Sequence, residues 1–194
     1  KGFWERGAKV IISSRDIDSL EKAKTEISKD GSNVHCIACD VSNEQQIQGM
    51  VKTVIDKFGE ISTFLNVAGV NKRKKIEDYS VKEYDFIVNI NLRGAFFLSQ
   101  TVGRHMIDKK NGSIINIDSL NTYAPLRGVG PYAISKSGIL MMTRALAHEW
   151  GEHGVRVNSI APGFFPTEMT RETWQKDYMM DWVTNITPMK KLGA

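Results

Sequence analysis

Cysteine is scarce: the 194 residues contain two, Cys36 and Cys39. They form a lone Cys-x-x-Cys, and no second pair of ligands is spaced to complete a zinc site with it. The segment reads as a strand, where positions i and i+3 point to opposite faces, which argues against a redox pair as well. Two thiols in the core region of a protein from a reducing, cytoplasmic compartment are the expectation. The histidines (His35, His105, His148, His153) are scattered, so no metal is expected. No apolar run approaches the ~18 residues of a membrane span, and no membrane association is expected. Charge of one sign is also lacking in excess: 26 Lys and Arg face 22 Asp and Glu, for a net +4. Nucleic acid would need a clustered basic face, so it is not an expected partner. With 41% hydrophobic and 25% charged residues, the composition suits one globular domain over 1–194 with a sizeable core.

Two absences concern order along the chain. The sequence starts at Lys1 in what reads as the middle of a helix, with Gly7 as its stop, and ends at Gly193-Ala194 without a closing strand. It has the look of part of a longer chain, in which an N-terminal targeting peptide would not be visible.

What is present alternates. Apolar, β-branched runs at 8–13, 34–38, 61–66, 113–117 and 155–160 read as strands. Between them lie helical patterns, with capping-box signatures expected at Ser42-x-x-Gln45 and Ser80-x-x-Glu83. One or two short helices are expected across the Met- and Trp-rich stretch from Thr170 to Thr187. Strands apolar on both faces, separated by helices, predict an α/β fold: a doubly wound, Rossmann-type parallel sheet flanked by helices. Such sheets bind ligands beyond the carboxyl ends of their strands. That rule selects Arg15, Asp40, the stretch Asn66 to Gly69, Ser119, and the stretch Pro162 to Thr167.

The segment from Ser119 to Lys136 carries the chemistry. If Pro131-Tyr132 opens a helix, Tyr132 and Lys136 lie at i and i+4 on one face. A cation there favours the phenolate, and a phenol tuned toward neutrality serves as a general acid or base. Ser119 adds a hydroxyl able to polarise a carbonyl. Arg15 follows the strand whose end meets an adenosine ribose in these folds, where a cation suits a 2′-phosphate. NADP(H) is therefore the favoured cofactor, with NAD(H) as the alternative because Asp16 stands beside it.

Several motifs occur together in order. They are Asn66-Val67-Ala68-Gly69, Asn91-Leu92-Arg93-Gly94, Ser119 thirteen residues before Tyr132, Tyr132-x-x-x-Lys136, and Pro162-Gly163-x-x-x-Thr167. With them the chain resembles the short-chain dehydrogenase/reductase family over essentially its whole length. The resemblance implies catalytic roles for Asn91, Ser119, Tyr132 and Lys136, with Asn91 kinking a helix to hold a water of the proton relay. It implies cofactor contacts from Arg15, Asp40, Val41, Asn66, Ala68, Gly69, Tyr132, Lys136, Pro162, Gly163, Phe165 and Thr167. The substrate would meet Ser119, Tyr123, Arg127, Phe164 and Tyr132 beneath a lid over 164–187. The family's first strand, its Thr-Gly-x-x-x-Gly-x-Gly turn and its last strand are not in the sequence. The sheet is therefore expected to be incomplete, cofactor binding by this chain poor, and the function that of the full-length parent. Val67 stands where the family usually has Asn. Asp118 stands where Ser or Ala is common, and if it faces the site it raises the Tyr132 pKa and works against Lys136.

The implied reaction is hydride transfer between a nicotinamide cofactor and a secondary alcohol or ketone. The stretch Asn66 to Arg73, Arg104-His105-Met106 and Ile186-Thr187-Pro188 most resemble gluconate 5-dehydrogenases, so a sugar acid or polyol such as gluconate or 5-ketogluconate is the expected substrate. Lys72-Arg73-Lys74-Lys75 is either a solvated loop or a lure for an anionic substrate. The alternative is 3-oxoacyl-carrier-protein reductase, and from another class a non-catalytic nucleotide-binding scaffold. Helices through Phe96-Phe97-Leu98 and Ile139-Leu140-Met141-Met142 are apolar on more than one face, which with the resemblance implies a homodimer or homotetramer.

Overall fold

The computed structural model describes residues 1–167 and 170–193. Its strands are β1 (Val10–Ser14), β2 (Val34–Ala38), β3 (Thr63–Asn66), β4 (Gly112–Ile117) and β5 (Val155–Ile160). The helices between them are α1 (Ile17–Ile27), α2 (Glu44–Phe58), α3 (Val81–Val88), α4 (Ala95–Lys109) and α5 (Gly130–Trp150). Two short helices follow, α6 (Arg171–Trp174) and α7 (Asp177–Ile186). Every strand pair is parallel. The expected Rossmann-like arrangement of parallel strands flanked by helices is present.

The sheet is interrupted, also as expected. Among the described residues β1 pairs with β2, while β4 pairs with β3 on one side and β5 on the other. No pairing joins the two groups. The consequence shows in β1, where no residue is buried although its sequence suits a strand covered on both faces. The main core lies elsewhere: Val102 and Met106 of α4, Ile139 and Leu146 of α5, and Ile114, Val155 and Val157 of the strands close it.

Local chemistry explains most element ends. Ser80 and Glu83 form the expected capping box at α3. The expected box at Ser42 does not form: Asn43 caps α2 by accepting from the Gln46 amide at 3.1 Å. Ser42 is diverted because its amide and hydroxyl both donate to Asp40 Oδ1, at 2.8 and 2.7 Å. Between α3 and α4 the helix widens to a π-helical turn over Asn89–Gly94. Gly94 makes the close approach possible, since a Cβ there would lie 2.6 Å from the Val41 carbonyl oxygen. The turn after β2 is thereby pressed against the helix that carries Asn91.

Candidate active site

The carboxyl end of β4 delivers Asp118 and Ser119. The Asp118 amide donates to the Ile160 carbonyl at 3.0 Å and the Leu120 amide to Pro162 at 3.3 Å, so the segment after β5 is tied to the same place. Helix α5 opens with Pro131 in its first turn, which brings Tyr132 and Lys136 to this end of the strand, one turn apart. Lys136 is 5% exposed. Its Nζ donates to the Ile117 carbonyl at 2.6 Å. The Ser119 Oγ accepts from both the amide and the side-chain nitrogen of Asn121, at 3.1 and 3.2 Å. A hydroxyl has two acceptor lone pairs and one donor, so its O–H is left to donate. Asn121 was missed in the sequence, although Ser-x-Asn after a strand is a turn signal for this arrangement.

The electrostatics differ from expectation at the tyrosine. Burial raises the Tyr132 phenol above its ordinary value, the Ser119 hydroxyl acts against this, and the Asp118 charge adds to it. The Lys136 ammonium lies 5.7 Å from the centroid of the tyrosine ring and gives one of its three N–H donors to Ile117. Burial also pushes Lys136 down, to about 8, with Asp118 opposing.

Asn91 is fully buried. Its Oδ1 accepts from the Val70 amide at 2.7 Å, and its Nδ2 donates to the Val70 carbonyl at 2.9 Å and to Ser135 Oγ at 3.0 Å. The kink is therefore real, and the side chain serves to clamp the loop after β3 against α5. Ser135, which also donates to the Tyr132 carbonyl at 2.7 Å, escaped notice as a small polar residue on a buried helix face. Gly69 sits in this clamp: a Cβ there would lie 3.6 Å from both Asn91 Oδ1 and Lys136 Nζ. Ala68 and Val67 are exposed beside it. The Asn66 side chain turns inward instead, donating to Ala95 and to Asn116 Oδ1 at 3.2 and 3.3 Å. Only its backbone can line a ligand.

At the ends of β1 and β2, Asp16 caps α1, accepting from the Asp18 amide at 3.0 Å and the Ser19 hydroxyl at 2.6 Å. Arg15 is left exposed. Asp40 is held below the usual carboxylate range by the Ser42 amide and hydroxyl, helped by the Arg15 charge. Val41 is half-buried next to it.

The outer rim is more open. Tyr123 is 66% exposed and Arg127 is exposed. Phe164 packs edge-on against Trp174 and Trp182, with ring centroids 5.6 and 5.5 Å away. Gly163, Phe165 and Thr167 are exposed. Glu168 and Met169, within the expected lid, lie outside the described residues. Of the basic run, Lys74 and Lys72 pair with Glu83 at 2.8 and 3.7 Å, and the Glu83 carboxyl is held down at about 2 by Lys74 and Ser80. The loop is strapped to the approach to α5 by the Lys74 amide, which donates to the Gly128 carbonyl at 3.1 Å, while the Tyr79 hydroxyl donates to the Lys72 carbonyl with the Gly128 oxygen 3.2 Å away. Gly128 takes a left-handed φ of 78° in that turn. Cys36 and Cys39 are both free, with burial raising both thiols.

These residues fit two ends of a dinucleotide. Arg15 and Asp40 lie at the carboxyl ends of β1 and β2, and Lys136 and the Gly69 backbone lie together beside the Asn91 clamp.

Residues 1–178 match the family model described as short chain dehydrogenase. Over 193 residues the chain is 32% identical to gluconate 5-dehydrogenase of Gluconobacter oxydans, covering 100% of this chain and 75% of that protein. It is 34% identical over 177 residues to a 3-oxoacyl-acyl-carrier-protein reductase of Thermotoga maritima, covering 90% and 71%. A solved gluconate 5-dehydrogenase of Burkholderia cenocepacia, in complex with NADP and tartrate, superposes with a TM-score of 0.93 at 28% identity, covering 99% of this chain and 75% of that one.

Proposed function

The chain belongs to the short-chain dehydrogenase family, whose NAD(P)-dependent members interconvert secondary alcohols and ketones, and we propose that this one acts on a sugar acid of the gluconate/5-ketogluconate type with NADP(H). The observation that carries the reading is the convergence of a Ser119 hydroxyl, the Tyr132 phenol and a buried Lys136 ammonium at the carboxyl end of β4. A bound nicotinamide would supply or accept the hydride. Arg15 would hold the adenosine end, with Asp40 and Val41 beside it. Pro162, Gly163, Phe165, Thr167, Ala68, Gly69 and the Asn66 backbone would line the nicotinamide side. Ser119, with its O–H free to donate, orients the substrate oxygen. Tyr132 gives that oxygen a proton in reduction and takes it in oxidation. Lys136, beside Gly69, steadies the ribose. Asn91 acts by holding the Val70 loop in place.

Support for the substrate class comes from relatives. The Gluconobacter protein is a gluconate 5-dehydrogenase, and the Burkholderia one was crystallised with tartrate, a hydroxy-acid dianion, and with NADP. The Thermotoga relative favours a second reading, 3-oxoacyl thioester reduction. A non-catalytic scaffold is disfavoured by the joint presence of Asn91, Ser119, Tyr132 and Lys136. Tyr123, Arg127 and Phe164 would form the substrate wall under a lid at 164–187, within one domain. A homodimer or homotetramer would use α4 and α5, between which a cleft of about 330 Å³ is lined by Phe96, Ile107, Met142 and Leu146. No helix among the described residues is long and apolar enough to cross a membrane. The free thiols suit a cytoplasmic setting.

Tyr132→Phe tests the mechanism. Turnover should fall roughly 10²–10⁴-fold with NADPH affinity unchanged; undiminished turnover overturns the assignment. Activity on an acetoacetyl thioester without activity on gluconate or 5-ketogluconate overturns the sugar-acid reading.

A further inference from the structure

Among the described residues, Asp118 is the one carboxylate with a buried oxygen lacking any hydrogen-bond partner. The residue is 2% exposed. Its Oδ2 accepts from the Ser159 hydroxyl of β5 at 3.2 Å, and its Oδ1 has nothing. A buried carboxylate is costly unless a cation balances it. The cation at hand is Lys136, whose Nζ is bonded to the carbonyl of Ile117, the residue just before Asp118. No direct ion pair closes between them, so the two charges act through space. Asp118 is the charge that bears on both Tyr132 and Lys136 of α5, the Lys136 ammonium itself lies 5.7 Å from the Tyr132 ring centroid, and β5 contributes the neutral Ser159.

We propose that Asp118 is a positioning residue of this site: the buried counter-charge that keeps the Lys136 ammonium seated on the Ile117 carbonyl beside Gly69. Two observations support a counter-charge over a packing role. One is the oxygen left without a hydrogen-bond donor. The other is the direction of its field, which opposes the loss of the lysine's proton that burial promotes and adds to the difficulty of ionising the tyrosine. Asp118 thus maintains the lysine at the expense of a less acidic phenol. Its catalytic meaning rests on the roles proposed for Tyr132 and Lys136, but the charges can be read without turnover, so failure here is distinct from failure of the Tyr132→Phe test.

The experiment is Asp118→Asn, which preserves shape and removes the charge. The Lys136 titration is followed by ¹³Cε NMR of labelled lysine and the Tyr132 titration by tyrosinate absorbance. Both midpoints should fall, that of Lys136 by about 1 pH unit or more. Ser159→Ala, which keeps the charge and deletes the hydrogen bond, should leave them in place. An unmoved Lys136 in Asp118→Asn, or an equal shift in Ser159→Ala, overturns the proposal. A stability cycle covers a variant that folds poorly. Asp118→Asn with Lys136→Met should lose less resistance to urea than the two single changes sum to, because neither charge is then left alone. If the losses add, or if the double variant fails to fold while Lys136→Met folds, Asp118 is a structural residue and the proposal falls.

Discussion

The half of the molecule built on β3, β4 and β5 and the half built on β1 and β2 are stabilised unequally. In the first, β4 is paired on both sides, α4 and α5 close over it, and a buried chain of amides and hydroxyls runs from Asn66 through Asn116 to Thr143. In the second, β1 has one partner and no buried residue; Leu20 of α1 and Val34 of β2 are buried, and Cys39 just past β2 packs with Ile47 of α2 and Leu98 of α4. Ser119, Tyr132, Lys136 and Asn91 all stand on the well-packed half, where reacting groups can be held in fixed geometry. Arg15 and Asp40 stand on the sparse one. The halves meet where Gly94 lies against Val41 and where Cys39 packs with Ile47 and Leu98.

The largest test of this contrast is a matched pair of core deletions. Ile114→Ala, at a fully buried position of β4, should cost about 2–5 kcal/mol, the range for a large aliphatic that leaves a cavity. Ile12→Ala, at a half-buried position of β1, should cost about 1 kcal/mol or less, because solvent already reaches the site. Urea denaturation of both variants reads the difference. Equal losses would mean that the halves are supported alike.

A pH scan probes the same packing through Lys136. Burial lowers its folded pKa from 10.5 to about 8. Below about 8 the lysine is charged in both states, and the full burial cost is present. Between about 8 and 10.5 the unfolded chain binds a proton that the folded one has released, so stability should rise with pH across that window. The gain is at most about 3 kcal/mol, given 1.36 kcal/mol per unit. Urea midpoints at neutral and alkaline pH, in the parent and in Lys136→Met, isolate it; a slope that survives the substitution belongs to other groups.

The contrast also explains what could be read in advance. The alternation of elements was legible, because burial imposes a hydrophobic period. The interruption of the sheet was legible from the motif order. Competition between neighbours was not. Ser42 looked like the cap of α2, but Asp40 takes its hydroxyl and Asn43 caps instead. Asn66 looked like a ligand residue, but Asn116 and Ala95 claim its side chain. Asn91 was placed correctly in a kink, yet its side chain turned out to clamp Val70 and Ser135. Around Lys136 and Tyr132 other partners also enter, since Ile117 holds the ammonium and burial is the largest influence on the phenol. Spacing shows which groups can meet; it does not show which partner wins.

The smallest stability effect should carry a large functional one. Arg15 is exposed at the end of β1, and its neighbour Asp16 is spent on capping α1, so Arg15→Glu should leave folding stability within about 0.5 kcal/mol. If Arg15 reads the ribose 2′-phosphate, the lost charge-assisted contact is about 1.5–3 kcal/mol, a roughly 10- to 100-fold weakening of NADPH binding. NADH affinity should hold or improve, because the new carboxylate can accept from a free 2′-hydroxyl. Fluorescence titration with both cofactors decides it. An unchanged NADPH affinity would transfer the adenosine end to Asp16 and NAD(H), and a loss of stability alongside it would show that the sparse half is better supported than its unburied strand implies.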